Sequence, residues 1–393
     1  MSQPCYYKLE VGQLPNELYS DSVPVQAWLD RTIKTTSPSG FPINSLNQVS
    51  PIPWDVEMER IVGVSLYMIG NILPFLLPML LMASFGNFYF STWAWRCLQG
   101  VILYVFILGC IEYLFFRPRF LRMYPTSGTV SQNTIRVNQY LFTERNITQY
   151  LSMNFVWSQS LQRPQMESTP LIFCVVPHGV APFGITAYPL WSKLWNDRTC
   201  HWTCAPILLK LPIVGYFLKK IGYIPAKSNY ILDTLTKKEE NVGIILDGIA
   251  GMFQTPARNF HTKTEEEVAY LKHRKGIVKI ALRAGVPIVP VYGFGHTALY
   301  TVVVDPFGIL QWLSLKLNVS LVPFFGRFFW FLGPPKRRTV SVCLGEPILC
   351  PKIEDPTPEQ IRDYHQRMLD SFQQVFDRHK AAYGWEHKKL KFV

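Results

Sequence analysis

The chain has 393 residues, of which 48% are hydrophobic and only 17% charged, with a formal net charge of +12. That length holds one large catalytic domain with a membrane anchor, or two smaller domains, and the charge calls for an anionic partner. Aromatic content of 14% without a Lys/Arg-rich tract argues against nucleic acid and fits a protein of the lipid–water interface. The eight cysteines, at positions 5, 97, 110, 174, 200, 204, 343 and 350, follow no paired spacing, so reduced thiols facing the cytosol are expected. Cys200-His201-Trp202-Thr203-Cys204 has no second ligand pair at finger spacing, and no metal is expected there.

In chain order, residues 1–58 are polar and turn-rich, without a basic stretch leading into an apolar core. They are expected to form a loosely ordered cytosolic segment with no cleaved signal peptide. Ile61 to Met82 is 22 residues without a charge, enough to cross a hydrocarbon core of about 30 Å at about 1.5 Å per residue. Leu98 to Phe116 is a second apolar run, carrying one acid, Glu112, and the short loop between them is rich in Trp, Tyr and Phe. Residues 59–118 are therefore expected to form a transmembrane or re-entrant helical hairpin. Pro74 and Pro78 favour a kink or an incomplete crossing. Arg117, Arg119 and Arg122 follow the hairpin at once, which places both its ends and the rest of the chain in the cytosol.

Beyond residue 170 short apolar runs alternate with helical ones. Leu171 to Val176 ends in Pro177-His178-Gly179, Val242 to Leu246 in Asp247-Gly248, Val286 to Tyr292 in Gly293-Phe294-Gly295, and Thr339 to Leu344 in Gly345-Glu346-Pro347. Runs apolar on both faces and closed by turn residues predict buried strands of an α/β sheet, whose chemistry gathers at strand carboxyl ends. His178 and Asp247 occupy two such ends. A histidine held there by Pro and Gly is placed to take a proton from a hydroxyl, because its ordinary pKa lies near operating pH. Backbone N–H groups at Gly179 or Gly248 could stabilise the oxyanion of an acyl transfer. Asp247 either orients His178 or simply closes its strand; the residues alone leave both readings open. There is no Gly-x-Ser-x-Gly elbow and no phosphate-binding Gly-rich loop followed by Lys-Ser/Thr, which disfavours a serine hydrolase and a nucleotide hydrolase.

Ile277, Ile280, Ala281 and Ala284 mark the core face of a helix closed by Gly285 and Pro287, with Lys275, Lys279 and Arg283 on another face. Lys272, His273, Arg274 and Lys275 stand where the helix dipole prefers acids, so the helix either binds an anion or offers a solvated basic face balanced by Glu265, Glu266 and Glu267. The segment from 305 to 335 carries Trp312, Phe324, Phe325, Phe328, Phe329, Trp330 and Phe331 and is expected to contact membrane or lipid chains. A final helix opens with a capping box from Thr357 to Gln360.

At three ordered blocks the chain resembles the type 2 diacylglycerol O-acyltransferase family, with its monoacylglycerol and wax-alcohol relatives. These are Val175-Val176-Pro177-His178-Gly179 with Phe183-Gly184; Arg274-Lys275-Gly276 through Val289-Pro290 to Phe294-Gly295; and Gly345-Glu346-Pro347-Ile348 continuing to Tyr364-His365 and Asp377-Arg378-His379-Lys380. The resemblance implies an α/β acyltransferase-like domain, a mixed sheet flanked by helices, over 119–393 behind the hairpin. It implies acyl-CoA as co-substrate without a cofactor, diacylglycerol as acceptor and a bilayer partner. The location it implies is the endoplasmic reticulum membrane and lipid droplets. His178 falls on the family's catalytic histidine, and Arg274, Lys275, Lys279 and Arg283 become a site for CoA phosphates. Three departures concern the acceptor more than the reaction. Val176 replaces the first histidine of the signature, Gly251 stands where relatives carry a glutamate, and Asn154-Phe155-Val156 replaces a Tyr-Phe-Pro element. Monoacylglycerol or a fatty alcohol is the alternative acceptor, and a non-catalytic lipid-droplet protein the alternative class.

Overall fold

The computed structural model describes residues 6–10, 34–36, most of 41–51 and 57–61, and most of 144–393. Within that last span it omits 163–165, 167, 186–190, 192–197, most of 211–221, 255–264, 304, 306, 318–319 and 332. The hairpin expected over 59–118 lies outside the described residues except for its first few positions. Among the described residues no helix is long and apolar enough to cross a membrane.

The strands are β1 (Tyr6–Glu10), β2 (Lys34–Thr36), β3 (Asn154–Ser158), β4 (Ile172–Val176), β5 (Cys200–Cys204), β6 (Ile224–Pro225), β7 (Asn241–Ile245), β8 (Glu266–Ala269), β9 (Ile288–Phe294), β10 (Thr301–Val302), β11 (Phe324–Phe325), β12 (Ser341–Leu344) and β13 (Lys389–Phe392). The helices are α1 (Glu144–Tyr150), α2 (Ser228–Thr236), α3 (Gly248–Gln254), α4 (Gly276–Ala284), α5 (Ile309–Leu317) and α6 (Pro358–His379). Nine strands form one mixed sheet in the order β2-β1-β3-β12-β9-β4-β7-β5-β6. Its centre is parallel: β4 pairs with β9 on one side and β7 on the other, and β7 pairs with β5.

Alternation along β4 divides the core. Phe173 and Val175 join an aromatic layer in which Trp191 meets Phe173, Phe155 and Trp202 edge-on at 5.0, 5.2 and 5.0 Å. Ile172, Cys174 and Val176 face a second layer built with α2, α4 and α6. Both faces of the central strands are covered, which is why their sequences are continuously apolar rather than alternating.

All four expected strands begin and end within two residues of their apolar runs, and α4 closes on Gly285 in the left-handed conformation at φ 69°. The capping box of α6 is present, with Gln360 N donating to Thr357 Oγ1 at 3.3 Å and Thr357 N to Gln360 Oε1 at 2.9 Å. Within residues 1–58, two described stretches depart from the expectation of loose order. Although polar, they contribute two strands to the main sheet, β1 pairing antiparallel with β3 over five residues. The Tyr6 ring rests edge-on against buried His379 of α6 at 5.4 Å, and this contact with the far end of the chain replaces the local apolar pattern that would have announced a strand. Apart from the main sheet, β8 and β13 form a small parallel sheet.

Candidate active site

Three neighbouring parallel strands, β7, β4 and β9, end side by side and deliver Asp247, His178 and His296 to one place. Loops that follow parallel strands leave at the same edge, so residues far apart in sequence converge there.

His178 is partly exposed, at the surface of this edge. Its Nδ1 lies 2.9 Å from the carbonyl of Gly179. A carbonyl only accepts, so Nδ1 carries the proton and Nε2 keeps its lone pair. Desolvation by the surrounding protein lowers the pKa of His178 from the ordinary histidine value, against the opposing pull of the Gly179 carbonyl. The imidazole is therefore neutral at physiological pH and able to accept a proton. Gly179 adopts φ +61°, and a Cβ there would stand 2.7 Å from the His296 carbonyl oxygen, so only glycine lets the loop turn so close to β9.

Asp247 is fully buried beneath this loop. Its Oδ2 accepts the backbone N–H of His178 at 2.9 Å, while Oδ1 is buried with no hydrogen-bond partner among the described residues. Of the two readings left open by the sequence, the structure supports neither in full. Asp247 holds the backbone that carries His178, and among the described residues no hydrogen bond joins it to the imidazole ring. Burial raises its carboxyl pKa to about 7, opposed by the N–H groups of His178, Asp247 and Gly248 and by the charge of Arg274. Gly251 lies one turn along α3 from Asp247, and a Cβ on it would fall 2.4 Å from Asp247 Oδ2. The acid at 247 fills the space into which a side chain at 251 would project, so an acid at one position excludes an acid at the other.

The sequence reading missed His296. It is buried in the short helical turn after β9, with Nδ1 donating to the Pro177 carbonyl at 3.0 Å and Nε2 accepting the Gly184 N–H at 3.0 Å. The ring thereby staples both ends of the loop carrying His178. Burial lowers its pKa to about 4, since protonating Nε2 would break the bond from Gly184. The available signal was its position directly after Gly293-Phe294-Gly295, a strand end like the two already noticed.

The basic residues separate into two groups. Arg274, Lys275, Lys279 and Arg283 are all exposed, but a Cβ on Gly248 would stand 4.0 Å from Arg274 Nη2, so that only Arg274 reaches the strand-end cluster. Lys279 and Arg283 lie further along α4, Arg283 in its last turn. The acids read as their counter-charges face elsewhere. Glu267 is buried in an ion pair with Lys388 at 2.5 Å and accepts Thr297 Oγ1 at 3.0 Å, and Glu266 pairs with Lys391 at 3.4 Å. Both serve the C-terminal strand β13, and the basic run at 272–275 is left facing solvent at the start of α4, whose first turn holds no acid. Among the described residues no cluster of three or more His, Cys, Asp or Glu side chains is arranged to hold a metal ion.

Fold and site together define an α/β protein with a neutral, base-competent histidine at the carboxyl ends of parallel strands. The family model described as diacylglycerol acyltransferase matches residues 98–392, and the chain belongs to that family. It is 29% identical over 245 residues to diacylglycerol O-acyltransferase 2 of Xenopus laevis, covering 58% of this chain and 66% of the relative. It is 37% identical over 225 residues to acyl-CoA wax alcohol acyltransferase 2 of Homo sapiens, covering 53% and 65%. Against 2-acylglycerol O-acyltransferase 1 of Mus musculus it is 31% identical over 238 residues, covering 56% and 69%. The chain thus spans about two thirds of the length of these relatives.

Proposed function

We propose that the protein is an acyl-CoA-dependent O-acyltransferase that esterifies the free hydroxyl of diacylglycerol to give triacylglycerol, working at the endoplasmic reticulum membrane with its catalytic domain in the cytosol. The observation that carries this reading is the state of His178: a neutral, partly exposed ring with Nδ1–H committed to Gly179 and Nε2 without a hydrogen-bond partner among the described residues. In the reaction, Nε2 takes the proton of the acceptor hydroxyl as its oxygen attacks the thioester carbonyl. The Gly179 backbone faces the developing oxyanion. Collapse breaks the C–S bond, and the thiolate of CoA leaves with the proton held by His178, so no covalent acyl-enzyme is needed. Asp247 and His296 act on this chemistry indirectly, by fixing the loop. The exposed cations ahead of α4, with Arg274 nearest the cluster, would receive the CoA phosphates.

The relative bearing a wax-alcohol name is the most identical of the three above, and this favours a fatty alcohol as the second acceptor to test. Membranes from cells lacking neutral-lipid synthesis, given labelled acyl-CoA with diacylglycerol, monoacylglycerol or fatty alcohol in parallel, decide the matter. Triacylglycerol from wild type and none from a normally expressed His178→Ala variant is the expected result. Product from another acceptor changes the acceptor and keeps the mechanism. No ester from any acceptor, with intact protein in the membrane, would overturn the enzyme reading in favour of a non-catalytic lipid-droplet protein.

A further inference from the structure

A second surface carries large apolar side chains that the proposed reaction does not use. Phe307 is 84% exposed, Phe328 71% and Phe329 73%, with Ile309, Trp312 and Trp330 each more than half exposed. Single exposed apolar residues are ordinary; a run of four large aromatics from 328 to 331 is not. The run and α5 are mounted on the same small sheet, formed by β10 and β11: Phe331 bridges back to Phe325, and Leu321 N bonds to Ser314 Oγ of α5 at 2.9 Å.

The backbone is bent to present these rings. Phe328 and Phe329 have φ of 57° and 55°, the left-handed region in which a Cβ crowds the following carbonyl. Glycine or asparagine relieves such a turn, yet two phenylalanines occupy it. Hydrogen bonds close it from within: Gly326 N to Trp330 O at 2.9 Å, Trp330 N to Arg327 O at 3.1 Å and Arg327 N to Pro334 O at 2.8 Å.

The base of the turn identifies the occupant. Arg327 and Arg337 flank the aromatic run, and both bind Glu57, Arg337 Nη1 at 3.4 Å. Glu57 lies four residues before Ile61, where the 22-residue uncharged stretch begins. The longest apolar stretch of the chain thus leaves the described residues beside the most exposed aromatic ones. Cations accompany the rings, Arg327 over Phe328 and Lys316 over Trp312, each at 4.8 Å. Apolar rings with a cation at their polar edge match the boundary between lipid phosphates and acyl chains.

We propose that α5 and Phe328–Phe331 form a docking surface for a phospholipid bilayer, rings at the headgroup–acyl boundary and Lys316 and Arg327 at the phosphates. The surface would hold the domain against the bilayer. It also belongs to the side of the sheet where the site opens, because α5 packs on α3, the helix that follows Asp247.

The test uses the full chain in phosphatidylcholine vesicles containing a phosphatidylcholine with a diazirine on its acyl chain, with adducts mapped by mass spectrometry. Lipid adducts are expected on 309–317 and 327–331 and absent from the solvent face of α6. Replacing Phe328, Phe329 and Trp330 together by Ser is expected to lower the adduct yield of 327–331 about tenfold, since that much apolar area no longer leaves water. These residues are exposed, so folding is retained. Peptides 309–317 and 327–331 free of lipid, or cross-linked instead to residues 62–143 or to a second copy, would overturn the proposal. The readout does not require ester formation, so it stands or falls separately from the catalytic reading.

Discussion

His296 and Asp247 sit under the same loop and titrate with opposite consequences for folding. His296 has a folded pKa near 4 against an ordinary 6.5. Between those values the unfolded chain binds a proton that the folded chain refuses, so its contribution to stability falls as pH drops through the window. The 2.5-unit gap corresponds to about 3 kcal/mol at about 1.4 kcal/mol per unit. Asp247 has a folded pKa of about 7 against 3.8. Here the folded chain holds the extra proton, so stability is lost as pH rises from about 4 to 7, by about 4 kcal/mol on the same scale. In the wild type the two nearly cancel, and each is unmasked by a variant that cannot titrate. The stability of His296→Gln minus wild type, measured by denaturant unfolding in micelles at a series of pH values, is expected to rise by about 3 kcal/mol as pH falls from 6.5 to 4. Asp247→Asn minus wild type is expected to rise by a similar amount in the other direction, from pH 4 to 7. Subtraction removes the remaining buried histidines, which are common to all three proteins. Flat difference curves would refute the assignment of a neutral staple and a strained acid.

Other expectations follow from the same geometry. His178→Ala should lower kcat by about 10²–10⁴-fold while leaving thermal unfolding close to wild type, because among the described residues its ring bonds only to the adjacent carbonyl. The acid limb of the kcat/KM profile should lie below the ordinary histidine value of 6.5, the direction in which burial moves His178; a limb at or above it would contradict a base desolvated as described. Gly251→Ala should destabilise by about 1–3 kcal/mol through its clash with the whole Asp247 side chain, Cβ included, and a double-mutant cycle with Asp247→Gly should recover most of that loss. Lys275→Glu with Lys279→Glu should raise the KM for acyl-CoA about three- to tenfold with kcat nearly unchanged, measured at low ionic strength.

The sequence announced the centre of this fold better than its edges. Strands buried on both faces, such as β4 and β9, show as unbroken apolar runs, and the turn residues after them mark where chemistry can gather. β1 shows no such run, since one tyrosine against α6 and a neighbour supplied from residue 154 onward suffice to hold it. His178 was legible for the same reason as β4, by its place at a strand end. His296 occupies an equivalent place, but its role rests on contacts with Pro177 and Gly184, more than a hundred residues earlier, and no local pattern encodes them. Glu267 looked like one of three surface acids; its burial is decided by Lys388, which arrives only with the last strand.

The staple between His296 and Pro177 also sets a timetable. The two residues are 119 apart in the chain, and synthesis at about 5–20 residues per second separates them by roughly 6–24 s. Throughout that interval the nascent chain already contains His178 but lacks the ring that pins both ends of its loop. The reactive centre is completed only when β9 joins β4, so it forms late, after most of the protein has left the ribosome. A chain that stops short of residue 296 carries the histidine without the geometry that makes it a base.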